Sequence, residues 1–300
     1  MIPTLETNTF QVRKEYRNQY RDIEAQTHHH SRHFADLAYD QKNIPRNRYG
    51  NTLPYQENIF RFLNPSSYFN ASRVLQGRAI SCQGPLDNEH EHFWKMVWET
   101  KTTAVIMLTD LVEGGYEKCS WYLPSEKGET LPSNGELTQE EVIIVNQIDG
   151  PPKPTEESSR GSTKLVERVI ELEYKGEKRT ITHYHFRGWG DFQAAPETTL
   201  SKLVMDVWER HYSQGEHIIS HCSAGVGRSG TFLATLEALY QLKNSPDLTN
   251  LVLNIVKQLR SLDQGRVGMV QNADQYSLIF KTLAILDTNC AKKFCTQNSL

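Results

Sequence analysis

Three hundred residues leave room for one large domain or two small ones. With 38% apolar and 23% charged residues the chain can bury a sizeable core, which excludes disorder throughout. A formal net charge of −3 argues against a general binder of nucleic acid or anionic membranes, while leaving room for a local basic pocket.

Residues 1–21 are polar and charged and lack the apolar centre of a signal peptide, and no apolar run approaches the roughly 18 residues that span a bilayer. A soluble chain without a membrane span is therefore expected. Residues 1–42 read as an N-terminal helical lead-in around Phe10, Val12, Tyr16 and Tyr20. The triplet His28, His29 and His30 that follows reads as a solvated loop, because consecutive side chains point different ways and no nearby Cys or carboxylate cluster completes a metal site. Residues 43–56, rich in Pro, Arg and Asn, form a predicted loop.

Aromatic and apolar residues at helical spacing over 93–98 precede a continuous apolar run at 104–108, short enough for a buried strand. Residues 142–145, 165–174 and 180–186 are β-branched and partly alternating, which predicts an antiparallel meander. The Pro, Glu and Ser stretch after Asp149, to Ser162, cannot pack a core and reads as a mobile hairpin loop. Helices are predicted over 200–212, 231–242, 251–262 and 273–286. Strand and helix signals interleave without a linker, so one α/β domain over 43–287 is expected, a central twisted mixed sheet flanked by helices, with a polar tail at 288–300.

The five cysteines, Cys82, Cys119, Cys222, Cys290 and Cys295, contain no CxxC pair. An odd set without metal spacing fits a reducing compartment better than a disulfide or zinc framework. One of them carries the chemistry. Residues 217–221 form a short apolar strand that runs straight into Cys222, and a glycine-containing loop then opens a strong helix. Such a strand, loop and helix N-terminus cradles an anion: the amides of Ser223, Ala224, Gly225, Val226 and Gly227 can curl around one centre, and the helix dipole adds positive potential. The same donors favour thiolate over thiol at Cys222. Arg228, six positions on, can return its planar fork across the loop to bind two oxygens of a phosphoryl group, a geometry that lysine lacks.

The full string His221-Cys222-Ser223-Ala224-Gly225-Val226-Gly227-Arg228-Ser229-Gly230 resembles the signature loop of the protein tyrosine phosphatase family. The resemblance extends over roughly 43–286. Pro45-Arg46-Asn47-Arg48-Tyr49 is similar to the family's phosphotyrosine-recognition loop, which would make Tyr49 one wall of an aromatic slot. Residues 68–72, 83–86, 93–99 and 105–109 resemble scaffold motifs. Asn70-Ala71-Ser72 also matches a glycosylation sequon, read as idle in a chain without a secretion signal.

By the same resemblance Trp189-Gly190-Asp191-Phe192 is the mobile acid loop, with Asp191 as the general acid that a phenolate leaving group of pKa ~10 requires. Ser229 would hydrogen-bond the sulfur, Gln271 would orient the attacking water with Gln275 assisting, Glu113 would steady Arg228, and His221 would orient the loop. No cofactor and no metal are implied. Expected partners are phosphotyrosine-containing proteins, in the cytoplasm or, for an enzyme that a bacterium or virus delivers, in a host cell cytosol. Oligomeric state stays open.

Two positions depart from the family pattern. Gly190 stands where proline is usual, which widens backbone freedom and predicts a reduced rate. Asn51 stands where an aspartate often grips the peptide backbone, and an amide there forgoes a charge-assisted bond. The spacing over 260–266 is also longer than usual. Two further readings follow: a catalytically impaired phosphotyrosine-binding module, and a dual-specificity or lipid phosphatase. The neutral Ala224 and Val226 weigh against the lipid reading.

Overall fold

The structure, a computed structural model, describes residues 9–27, 31–131, 133, 135, 137–138, 141–154, 163–242 and 247–297. The histidine triplet 28–30, residues 155–162 of the Pro, Glu and Ser stretch, and residues 298–300 lie outside the described residues.

In chain order, helix α1 (Thr9–Gln26) and the single turn α2 (Asp36–Tyr39) precede strands β1 (Ala71–Val74) and β2 (Ala79–Cys82), helix α3 (His90–Glu99) and strand β3 (Ala104–Met107). A short hairpin of β4 (Val112–Glu113) and β5 (Tyr116–Glu117) follows, then β6 (Ile144–Asp149), β7 (Lys164–Tyr174), β8 (Glu177–Arg187) and α4 (Glu197–Arg210). The chain ends with β9 (Ile218–His221), α5 (Gly227–Gln241), α6 (Leu248–Leu259) and α7 (Ala273–Gln297).

Seven strands form one mixed sheet in the order β1-β2-β9-β3-β8-β7-β6. The pairs β2/β9, β9/β3 and β3/β8 are parallel. The meander β6-β7-β8 and the pair β1/β2 are antiparallel. The fold is thus α/β, a mixed central sheet flanked by helices. Because side chains alternate across a strand, β3 feeds two cores. Ala104 and Ile106 join the apolar cluster built with α4, α5, α6 and α7. Val105 and Met107 join Phe93, Trp94, Met96 and Val97 of α3 on the opposite face. Burial on both faces explains why this strand reads as an unbroken apolar run.

The ends of the chain differ from the sequence reading. Helix α1 is not merely a polar lead-in, since it buries Tyr16, Tyr20 and Ile23 in the same cluster as α5 and α7. Helix α7 continues to Gln297 and so takes in most of the segment expected as a polar tail. No Gly or Pro interrupts it, and Leu278, Ile279, Leu283 and Leu286 keep one face buried up to the end of the apolar pattern. Asn70 of the sequon is fully buried, its amide donating to Asn47 Oδ1 at 2.9 Å, so it is part of the core.

Candidate active site

Three loops leave the carboxyl ends of three adjacent parallel strands, the place where open α/β sheets bind their ligands. Cys222 follows β9, the β4–β5 hairpin follows β3, and the loop 188–193 follows β8. Residues more than a hundred positions apart are brought together by strand order alone.

The cysteine loop turns its carbonyls outward. Ser223 O accepts from Gly84 N–H at 2.8 Å, Ala224 O from Arg266 Nη2 at 3.4 Å, Gly225 O from Ser81 Oγ at 2.8 Å and Val226 O from Gly230 N–H at 3.0 Å. With these oxygens tied to the scaffold, the following N–H groups face the interior of the loop, as an anion cradle requires. Gly225 is at φ 72°, and a Cβ there would collide with the carbonyl of Cys82. At Gly227 a Cβ would run into the side-chain amide of Gln271, with Gln275 Nε2 3.0 Å away.

Cys222 is 4% exposed. Burial pushes its thiol up, but the Arg228 charge, the Ser229 hydroxyl and the amides of Ser229 and Val226 outweigh burial and hold its pKa below the ordinary value. The Ser229 hydroxyl is buried and has no oxygen or nitrogen partner among the described residues, which leaves it free to serve the sulfur.

Arg228, buried in the first turn of α5, is clamped from the hairpin and the acid loop. Its Nη1 donates to Glu113 Oε1 at 2.5 Å and to the Trp189 carbonyl at 2.6 Å, and its Nη2 lies 3.5 Å from Asp191 Oδ1. Glu113 Oε1 also accepts from Thr109 Oγ1 at 2.8 Å, while Oε2 accepts the Asp191 backbone N–H at 3.0 Å. One carboxylate therefore fixes both the arginine and the acid loop. The Asp191 side chain is completed by Lys118 Nζ, 3.0 Å from Oδ2. Trp189 is 1% exposed and donates its indole N–H to Gln193 O at 2.8 Å, forming the buried hinge side of the loop.

The remaining candidates surround this centre. Ser223 Oγ donates to Lys118 O at 2.9 Å, so the Tyr49 hydroxyl, 2.9 Å away, donates to Ser223 and stands beside the cradle. Gln275 is fully buried and its Oε1 accepts the Gln271 N–H at 2.8 Å. Behind the loop, His221 Nδ1 can only donate to the carbonyl of Cys222 at 3.1 Å. Burial pushes His221 down to about 4, so the ring is neutral and its Nε2 accepts from the Tyr122 hydroxyl at 2.6 Å. Tyr122 in turn accepts from His183 Nε2 at 2.8 Å. This chain fixes the tautomer of His221 and supports an orienting role. Asn51 is exposed and lines a cavity of about 240 Å³ beside the cradle, together with Phe192, Val226 and Gln271.

Three residues that the sequence reading missed belong to the assembly. Lys118 carries no local motif, and only the alternation of the hairpin after Glu113 could have suggested that it shares a face with it. Arg266 is fully buried and donates to Thr52 O at 2.8 Å and Asn70 Oδ1 at 2.6 Å as well as to Ala224 O, tying the recognition loop to the cysteine loop. Tyr122 looks like any core aromatic in sequence.

A family model described as protein-tyrosine phosphatase matches residues 43–285. The chain is similar to human tyrosine-protein phosphatase non-receptor type 2, with 33% identity over 285 residues, 91% of this chain and 62% of that protein. It is also similar to mouse tyrosine-protein phosphatase non-receptor type 5 (32% identity, 81% of this chain and 43% of that protein) and to tyrosine-protein phosphatase 3 of Schizosaccharomyces pombe (36%, 68% and 67%). The chain belongs to the protein-tyrosine phosphatase family. It spans less than two thirds of the length of the human and mouse relatives. Among the described residues no helix is long and apolar enough to cross a membrane.

Proposed function

We propose that this chain hydrolyses phosphotyrosine in proteins through a phosphocysteine formed on Cys222. The observation that carries the reading is the meeting of a thiol held below its ordinary pKa with a carboxylic acid on the far side of the arginine clamp. In the first step Cys222 Sγ forms a bond to phosphorus as the ester P–O bond breaks, and the departing phenol oxygen takes its proton from Asp191. Arg228 and the loop amides bind the equatorial oxygens, where charge is spread in the transition state. In the second step a water held by Gln271 attacks phosphorus, Asp191 takes its proton, and the P–S bond breaks to return the thiolate, which the Ser229 hydroxyl stabilises. No step needs a metal or an organic cofactor.

Two features support phosphotyrosine over smaller or more highly charged substrates. Tyr49, fixed through Ser223, offers an aromatic wall at the cradle. Ala224 and Val226 place no extra cation in the loop for a second phosphate. We infer that Glu113, His221 and Trp189 position this machinery, that Lys118 orients the acid, and that Asn51 and Gln275 border the substrate.

Phosphopeptide turnover by wild type, Cys222→Ser and Asp191→Ala tests the proposal. The first variant is expected to lose all turnover while still binding phosphopeptide, and the second to slow by ~10²–10⁴-fold. Turnover retained in Cys222→Ser refutes the mechanism. A wild type that binds phosphopeptide and releases no phosphate selects the binding-module reading, and equal activity on phosphothreonine or phosphoinositide selects the broader phosphatase.

A further inference from the structure

Val270 adopts φ 60°, a left-handed conformation that a β-branched residue rarely takes. Strain of this kind persists only where the surroundings over-determine it. Here they do so from several sides. The Val270 N–H donates to Val226 O of the cysteine loop at 3.3 Å. Its carbonyl accepts from the Tyr20 hydroxyl at 3.0 Å and from Arg260 Nη1 at 3.3 Å. Gly230 makes the approach possible, since a Cβ there would lie 2.5 Å from Val270 N.

The Val270 carbonyl and the Gln271 N–H belong to one planar peptide unit. That plane is therefore pinned at both edges: its oxygen by Tyr20 and Arg260, its N–H by Gln275 Oε1 at 2.8 Å. Rotation of the plane would swing Gln271, whose side-chain amide sits against Gly227 in the cradle. Tyr20 is 5% exposed, and burial raises its pKa, so its hydroxyl stays protonated and remains a donor. It comes from α1, 250 positions earlier in the chain.

We propose that Tyr20 is a positioning residue for the hydrolysis step: through the Val270 carbonyl, α1 holds Gln271 where it must orient the water that attacks phosphocysteine. The inference rests on the proposed two-step reaction. Gln271 has no part in forming phosphocysteine, so the effect of Tyr20 is confined to its breakdown. Helix α1 is anchored independently, with the Tyr16 ring stacked on Phe280 at 4.4 Å and Gln19 Oε1 accepting from the Tyr276 hydroxyl at 3.1 Å. Removing one hydroxyl from Tyr20 therefore leaves the helix in place.

The experiment is steady-state and rapid-mixing kinetics of the full chain with p-nitrophenyl phosphate, whose good leaving group makes the first step fast. Tyr20→Phe is expected to lower kcat by ~3- to 10-fold, the effect of one buried hydrogen bond, and to leave kcat/KM unchanged. A burst of p-nitrophenol, equal in amount to the enzyme, should precede the slow phase. Tyr276→Phe, which removes the hydroxyl that bonds α7 to Gln19 of α1, should leave both constants as they are. Unchanged kcat in Tyr20→Phe, an equal fall of kcat and kcat/KM, or the same split in Tyr276→Phe would overturn the proposal. Gln271→Ala, run alongside, separates its failure from that of the underlying reading. A burst in Gln271→Ala but none in Tyr20→Phe overturns only the link through α1. No burst in either removes the role of Gln271 itself, and the proposal falls with it.

Discussion

The cysteine loop and the acid loop face each other across one cradle and are held by different forces. Four consecutive carbonyls of the cysteine loop, Ser223 to Val226, are tied to buried donors from β2 and the residues just after it, from Arg266 and from α5. The acid loop is held at its tip by ion pairs: Asp191, whose side chain is 30% exposed, meets Lys118 and Arg228, and its backbone meets Glu113. Next to it Phe192 is at φ 57° and largely exposed, with its carbonyl taken by Asn272 Nδ2 at 3.0 Å. Buried hydrogen bonds are expensive to leave unmade, whereas partly exposed ion pairs contribute only about 0–1 kcal/mol each. On the proposed reaction, the cradle is thus suited to stay formed while the loop 188–193 moves over it, as substrate entry and phosphate release would require.

The largest effect is expected from breaking the fixed partner. Gly225→Ala places a methyl group against the Cys82 carbonyl at a backbone angle that L residues avoid. The loop must then shift, and misplacement by ~1 Å is enough to slow catalysis by ~10²-fold. Phosphopeptide binding by Cys222→Ser should weaken when Gly225→Ala is added. Full turnover by the single variant would mean that the cradle is not built on this close approach.

Acid should also act through the buried histidines. Burial, the leading cause in each case, pushes His221 down to about 4, His185 and His92 to about 3, and His183 well below its ordinary value. In the unfolded chain these rings titrate near 6.5. Below that pH the unfolded state binds more protons than the folded state, so stability present above ~6.5 is lost as pH falls toward 4. Each histidine contributes a slope of roughly 1.4 kcal/mol per pH unit in that window. Thermal unfolding should therefore show Tm falling between pH 6.5 and 5. A flat or rising Tm there would show that the Tyr122–His183–His221 chain is not neutral and buried.

The same contrast governs what could be read from the sequence. The cysteine loop was legible because its chemistry is local: strand, glycines, arginine and helix start lie within fourteen consecutive residues, from Ile218 to Thr231. The buried strand β3 and the β6–β8 meander were legible from continuous or alternating apolar runs. Strands β1 and β2 were not assigned as strands, because each is only four residues long, β1 is an edge strand paired with β2 alone, and β2 takes its other partner from β9, far along the chain. Lys118, Tyr122 and Arg266 were missed for a related reason, since each acts through contacts with segments far away in sequence. The continuation of α7 past Leu286 was missed because the apolar pattern stops there while the backbone, free of Gly and Pro, does not.

The smallest expected effect tests the mobile partner at Gly190. Its φ lies outside the left-handed region, so the fold does not demand glycine at this position. The three atoms nearest to a Cβ there all belong to the end of the exposed, flexible side chain of Gln193, with Cδ 2.9 Å away. The Gly190 carbonyl accepts from Gln193 N–H at 3.2 Å, a bond that a proline ring retains, and its own N–H makes no backbone hydrogen bond among the described residues. Proline would then restrict the open and unfolded chain without removing a contact of the closed loop, an effect of about 0.4–1 kcal/mol. Gly190→Pro should raise phosphopeptide turnover by ~2- to 5-fold if closure of Asp191 over the cradle limits the rate. Turnover that stays the same or falls would show that closure is not limiting, or that the loop relies on glycine when it opens, in which case the acid loop is as firmly specified as the cysteine loop beneath it.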